Sequence, residues 1–265
     1  MTTRLAIVGG GNMGAALLDG LVAAEWATPA ELAVVEVLAP RRAELVARHP
    51  GLVVAAECVP CDGAVIAVKP HDAAGAVRAL VGVGCRRVLS IAAGVTTAAL
   101  EAAAGEVALP VVRAMPNTPA LVGAGASAIA PGRHATDDDL AWAEGVLRSV
   151  GIVERVPESL LDAVTGLSGS GPAYVFLLAE ALVEAGVHAG LARPTSRALV
   201  TQLLVGSAKL LAESGELPEV LRANVTSPAG TTAAGLRALE AGGFRAAVLE
   251  AVLAATHRAH ELGSA

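Results

Sequence analysis

A chain of 265 residues, 54% hydrophobic and 17% charged, carries enough apolar surface for one large core or two smaller ones, which excludes a disordered protein. Aromatic residues make up 2% and the formal net charge is -6, so neither base-stacking surfaces nor a basic field for nucleic acid is present. The three cysteines are an odd number, and no cationic segment followed by an apolar stretch opens the sequence; both features predict a cytoplasmic protein without a disulfide framework.

The first element is an apolar run at residues 5–8, followed at once by Gly9-Gly10-Gly11-Asn12-Met13-Gly14 and an Ala-rich helical segment. Gly-x-Gly-x-x-Gly between a strand and a helix is the form of a dinucleotide-binding turn. Gly9 permits the tight turn, Gly11 admits a pyrophosphate to the backbone, and Gly14 lets helix and strand pack closely. Strands then follow at 32–37, 52–55, 64–68, 87–91, 110–114, 126–130 and 151–155, alternating up to about residue 155 with Ala-rich helical segments. That alternation predicts an α/β, Rossmann-like, mostly parallel sheet domain with helices on both faces. Cys58-Val59-Pro60-Cys61 has redox-motif spacing, but no second pair completes a metal site, and the cysteines read as small apolar residues.

Open parallel sheets bind ligands at the carboxyl ends of their strands. Glu36, near the end of the second strand, stands at the spacing from Gly14 that suits acceptance of a ribose 2'-OH, which predicts that NADH is used at least as well as NADPH. Arg41 and Arg42 follow closely and would either bend back to a 2'-phosphate or open the next helix in solvent. After the fourth, fifth and sixth strands come Ala67-Val68-Lys69-Pro70, Ala92-Ala93-Gly94 and Met115-Pro116-Asn117, small residues with Pro or Asn that suit a backbone close to a ribose and nicotinamide. Lys69 is one of only two lysines among 19 basic residues. It faces either the cofactor or solvent.

Beyond Pro157 the strand signal stops, and helices are expected at 159–166, 172–189, 194–214, 218–225, 231–241 and 244–262. The division is therefore a sheet domain at 1–156 and an all-helical domain at 157–265. A membrane span over 174–191 is disfavoured by Glu180 and Glu184, and the helices carry so much apolar surface that they are expected to pack against a second copy. Two polar, Gly-rich segments, 167–174 and 224–232, read as helix starts: good caps, or sites whose backbone amides gather a carboxylate. His257 and His260 lack accompanying ligands, so no metal site is expected.

Seven blocks, in order, resemble the pyrroline-5-carboxylate reductase family: residues 9–14, 67–70, 90–95, 113–119, 166–174, 227–232 and 243–245. The resemblance runs essentially end to end. It implies reduction of the C=N bond of 1-pyrroline-5-carboxylate to L-proline by hydride transfer from NADPH or NADH, the final step of proline synthesis. The cofactor would lie on Gly9, Gly11, Asn12, Met13, Gly14, Ala67, Val68, Lys69, Pro70, Ala92, Ala93, Gly94, Met115 and Asn117, to which the spacing adds Glu36, where the family commonly has Asn-Arg-Ser/Thr. Ser168, Asn224, Gly230, Thr231 and Thr232 would bind the substrate ring and its carboxylate, with the Thr232 hydroxyl at the ring nitrogen as the catalytic partner. The resemblance also implies a homodimer with intertwined helical domains, in which each site joins one subunit's sheet domain to the other's helices. Ala229 stands where the family has Gly. Two rivals share the glycine turn: a nucleotide-sensing module, which has no need of the polar helical segments, and a hydroxyacid dehydrogenase, for which Lys209 is the only candidate base.

Overall fold

The computed structural model describes residues 3–264. Eight strands, β1 (Thr3–Val8), β2 (Leu32–Val35), β3 (Val53–Ala55), β4 (Cys61–Ile66), β5 (Val88–Ser90), β6 (Val111–Met115), β7 (Gly125–Pro131) and β8 (Gly151–Arg155), form one sheet in the order β3-β2-β1-β4-β5-β6-β7-β8. The first six run parallel; β7 is antiparallel to β6, and β8 is parallel to β7. The reversal follows from the connection at 116–124, which is too short for the crossover a parallel neighbour requires.

The inner strands are covered on both faces, which is why most of them read as continuous apolar runs, while the edge strands β3 and β8 are partly exposed. Alternate residues of β1 serve opposite faces: Leu5 and Ile7 pack with Leu17, Leu18 and Leu21 of α1 (Asn12–Ala23), while Ala6 and Val8 join Val77 and Leu80 of α3 (Ala73–Gly82). Between them in sequence lies α2 (Ala39–Arg48); α4 (Thr97–Ala103) follows β5 and α5 (Asp137–Leu147) follows β7. Cys61 and Cys85 are buried in the second of these clusters and Cys58 is packed at its margin, all three as free thiols.

After β8 come α6 (Leu161–Val164), a π-helical turn (Thr165–Gly169), α7 (Gly171–His188), α8 (Arg193–Ser214), α9 (Pro218–Asn224), α10 (Thr231–Ala241) and α11 (Phe244–Ser264). By compactness the sheet unit extends to residue 170 and includes 253–264, while 171–252 form the helical unit. The early helical residues stay with the sheet because Leu161 is buried beside Ala128 and Ala130 of β7, and Arg113 of β6 pairs with Glu158 at 3.1 Å and Asp162 at 3.8 Å. The chain's end returns there as well, with His260 against Asp162 at 3.3 Å.

In the helical unit α7 packs on α8 closely enough that a Cβ at Gly186 would strike the Ser196 hydroxyl, which donates to the Val183 carbonyl at 2.9 Å. Among its described residues only Ser196 and Val200 are buried. Leu199, Leu203 and Leu210 of α8, at helical spacing, are each more than half exposed.

Candidate active site

The glycine turn is built as its spacing predicts. Gly9 has φ +110°, and a Cβ there would lie 2.5 Å from the Ala67 carbonyl oxygen, so no other residue fits without moving β4's end. A Cβ at Gly14 would overlap the Gly9 carbonyl, whereas Gly11 faces open space. Gly11 caps α1 without a side-chain bond, and the first helical backbone bond runs from Ala15 to Gly11 at 2.8 Å. The amides of Asn12, Met13 and Gly14 thus sit at a helix start with no intrahelical acceptor, an arrangement suited to phosphate.

At the end of β2, Glu36 is 9% exposed and its carboxylate is held by backbone: Oε2 accepts from Gly10 N–H at 3.0 Å and Oε1 from Leu38 N–H at 2.8 Å. Arg41 Nε donates to the Gly10 carbonyl at 2.8 Å, and Arg42 Nη1 to the carbonyls of Glu36 and Val37 at 2.9 and 2.8 Å. Both guanidinium groups therefore turn back onto the strand end and the glycine turn. Glu36 is at once a wall of the cleft and a staple between two loops.

The loops after β5 and β6 share an anchor that their own sequences do not reveal. Glu158 accepts from the Thr97 amide at 2.7 Å, the Thr97 hydroxyl at 2.6 Å and Arg113 Nη1 at 3.1 Å. Thr97 lies just beyond Ala92-Ala93-Gly94, and Arg113 just before Met115-Pro116-Asn117. Burial raises the Glu158 pKa, but the Thr97 bonds and the Arg113 charge outweigh it and hold the carboxyl below the usual carboxylate range.

A cleft of about 1220 Å³ opens at the carboxyl ends of the strands. Of the expected cofactor residues, Gly9, Gly11, Asn12, Met13, Glu36, Ala67, Val68, Lys69, Ala93 and Met115 line it. Gly14, Pro70, Ala92, Gly94 and Asn117 do not. Gly94, at φ +75°, lies against the chain's end, where its Cβ would be 3.4 Å from Gly263 Cα. The sequence reading missed the far end of the cleft, formed by Ala56, Glu57 and Cys58 after β3 and by Gly75, Ala76 and Ala79 along α3. The rule that singled out the loops after other strands applies equally to β3, and small residues on one face of α3 were the available signal. Cys58 remains a neutral thiol there, since burial pushes its pKa up.

In the helical unit the 224–232 segment is not a side-chain-capped helix start. Its cap is Gly230, with no side-chain bond, so the first amides of α10 are free of the Ser and Thr side chains. Asn224, Ser227 and Thr231 are exposed and Thr232 half-buried, and none of these side chains has a hydrogen-bond partner among the described residues. The segment 167–174 also differs from expectation. Helical conformation runs on from α6 through the π turn into α7, and the Ser168 hydroxyl donates to the Val164 carbonyl at 3.2 Å instead of capping. Ala229 has φ +56° and the Gly230 amide donates to the Ser227 carbonyl at 3.1 Å, so the left-handed residue of the Ser227–Gly230 turn is the one that carries a methyl group.

Profiles of known families match both parts: pyrroline-5-carboxylate reductase dimerisation at residues 158–262, and NADP oxidoreductase, coenzyme F420-dependent, at 4–94. A curated pyrroline-5-carboxylate reductase from Synechocystis sp. is 44% identical, with 99% of each chain covered. The chain belongs to the pyrroline-5-carboxylate reductase family. Another relative of that name, from Mycobacterium tuberculosis, is also 44% identical, covering 98% of this chain and 96% of its own. Among solved structures, a pyrroline-5-carboxylate reductase from Coxiella burnetii superposes with a TM-score of 0.92 at 35% identity, 99% of each chain covered. A Plasmodium falciparum pyrroline carboxylate reductase with NADP bound gives 0.84 at 31% identity, 98% of each chain covered.

Proposed function

We propose how this chain performs its family's reaction, residue by residue. It is an NAD(P)H-dependent pyrroline-5-carboxylate reductase that converts pyrroline-5-carboxylate to proline. The dinucleotide lies in the cleft, its pyrophosphate on the Asn12–Gly14 amides and its nicotinamide toward Ala93 and Met115. The observation that carries this reading is the convergence of the glycine turn and the ends of β2 to β6 on one cleft. Hydride passes from nicotinamide C4 to the imine carbon, and the protonated C=N is already electrophilic, so orientation rather than a nucleophile is what the protein supplies. The substrate carboxylate is held by the free amides at the start of α10, with Asn224, Gly230 and Thr231 around it. The Thr232 hydroxyl hydrogen-bonds the ring nitrogen. Thr232→Ala is expected to lower kcat by about a hundredfold with the circular dichroism spectrum unchanged, and near-normal turnover would remove Thr232 from this role.

The cofactor proposal is that NADH serves at least as well as NADPH. Glu36 lines the cleft with its carboxylate fixed by two amides, and each oxygen keeps a lone pair for a ribose hydroxyl. Arg41 and Arg42 are outside the lining and already committed to carbonyls. A 2'-phosphate at that point meets a fixed negative charge. Separate kcat/KM values for the two cofactors test this; a much higher value for NADPH defeats it. Glu36→Ala should raise the NADPH/NADH ratio by about tenfold or more.

The chain self-associates through its helical region, which carries the dimerisation profile. In the proposed assembly the helical units of two subunits intertwine and cover the exposed leucines of α8. The run 158–188 is long and apolar enough to cross a membrane by length and composition, but the same surface serves subunit packing, and we place the enzyme in the cytoplasm.

A further inference from the structure

We propose that Asn117 is a positioning residue of the reductase: its side chain does not touch the cofactor but fixes the loop that does. The inference rests on the cleft being the dinucleotide site. Met115 and Pro116 line that cleft, whereas Asn117 does not and is 9% exposed. Its carboxamide is spent on backbone at both ends. Oδ1 accepts from the Ala126 amide at 2.9 Å, and Nδ2 donates to the Ser168 carbonyl at 3.1 Å. Because one partner is a donor and the other an acceptor, only one orientation of the amide satisfies both.

The Ser168 carbonyl needs such a donor for a covalent reason. In α-helical geometry it would accept from the residue four positions on, and that residue is Pro172, which has no N–H. The helix instead widens over Thr165–Gly169, where the Ser170 amide reaches back to the Thr165 carbonyl at 2.8 Å, and Asn117 supplies a donor to Ser168 from outside. The same turn is gripped a second time: a Cβ at Gly169 would lie 2.6 Å from Met115 Cε, so glycine there is what lets Met115 lie where it does. One loop thus holds the π turn by its carbonyl through Asn117 and by its glycine through Met115. Sheet strand β7, through Ala126, closes the arrangement from the other side. The wall of the cleft expected to face the nicotinamide takes its place from these contacts, and a displacement of that wall misaligns C4 with the imine carbon, for which a shift on the order of 1 Å costs about a hundredfold in rate.

The experiment measures NADH dissociation constants by fluorescence, kcat and KM for pyrroline-5-carboxylate, and the kinetic isotope effect with NADH deuterated at C4. It compares wild type with Asn117→Ala and Asn117→Asp. The Asp variant keeps the acceptor for Ala126 and loses only the donor to Ser168, so it preserves the packing that the Ala variant removes. For both, kcat is expected to fall by about tenfold to a hundredfold, the isotope effect to rise as hydride transfer becomes limiting, and the NADH dissociation constant to stay within about twofold of wild type. An NADH dissociation constant raised by about tenfold or more in both variants overturns the proposal, because the side chain then contacts the cofactor; so does a kcat within about twofold of wild type. A wild type that binds neither NADH nor NADPH overturns the dinucleotide site itself and is distinguishable from either result.

Discussion

The two units of this chain solve the same stability problem in opposite ways. The sheet unit buries both faces of its strands and closes its polar groups on itself, with Glu36, Asn117, Arg113 and Glu158 all paired across the fold. The 171–252 unit buries two of its described residues and leaves long leucine-bearing faces in solvent. An element stabilises itself only when it has apolar surface to hide against, and the helical unit lacks that surface within one chain. The sheet unit holds a preformed cleft at its strand ends; the helical unit carries the dimerisation profile.

Breaking that contrast at its open face should have the largest effect. Leu203→Asp places a charge in the apolar stripe of α8, and sedimentation or light scattering is expected to show monomers, with activity lost in the same samples. A dimer of undiminished activity in this variant shows that α8 does not carry the association.

An intermediate effect is expected where the sheet unit closes on itself. Glu158→Gln weakens the anchor shared by Thr97 and Arg113 and should cost about 2 kcal/mol in chemical denaturation at neutral pH. The pH dependence has a definite sign. The folded pKa of Glu158 lies below its ordinary 4.5, so the contribution is complete above that value and is lost as pH falls from there through the lowered folded pKa. Below pH 4.5 the wild-type Tm should therefore fall more steeply than that of Glu158→Gln. Parallel slopes indicate that the carboxylate is not the stabilising group.

The smallest effect has the opposite sign and sits in the helical unit. Ala229 holds a left-handed conformation that costs an L-residue about 1 kcal/mol more than glycine. Ala229→Gly removes that strain and loosens the unfolded chain, leaving a net gain of roughly 0.5 kcal/mol, visible as a small rise in Tm. A fall in Tm shows that the methyl group makes a contact worth more than the strain.

Much of the fold was legible in the residues. All eight strands stand where they were expected, and most are continuous apolar runs, because a parallel strand buried on both faces must be apolar throughout. The reversal at β7 was not read, although the short connection before it was visible. In the site, Gly9, Gly11 and Gly14 were legible because their roles are local, set by φ and by the backbone that approaches them. The bonds of Asn117 were not legible, since its partner Ser168 lies 51 positions away, nor was the Glu158 anchor, which reaches Thr97 across 61. The segments 167–174 and 224–232 were recognised as unusual, while their geometry, a π turn in one and a glycine-capped helix start in the other, departs from the capped helices expected.

The sequence by itself determined the strand-to-helix glycine turn, the order of the elements, the family and the excess of apolar surface on the later helices. Periodicity, glycine spacing and ordered blocks are properties of neighbouring residues and survive without a fold. Only the tertiary structure decided which polar groups are spent and which are free. Glu36 is tied to two amides, Arg41 and Arg42 turn back to the carbonyls of Gly10, Glu36 and Val37, Asn117 is consumed by Ala126 and Ser168, and Thr232 is left without a partner among the described residues. Hydrogen bonds are exclusive, and whether a side chain can serve a ligand depends on what distant backbone has already claimed it.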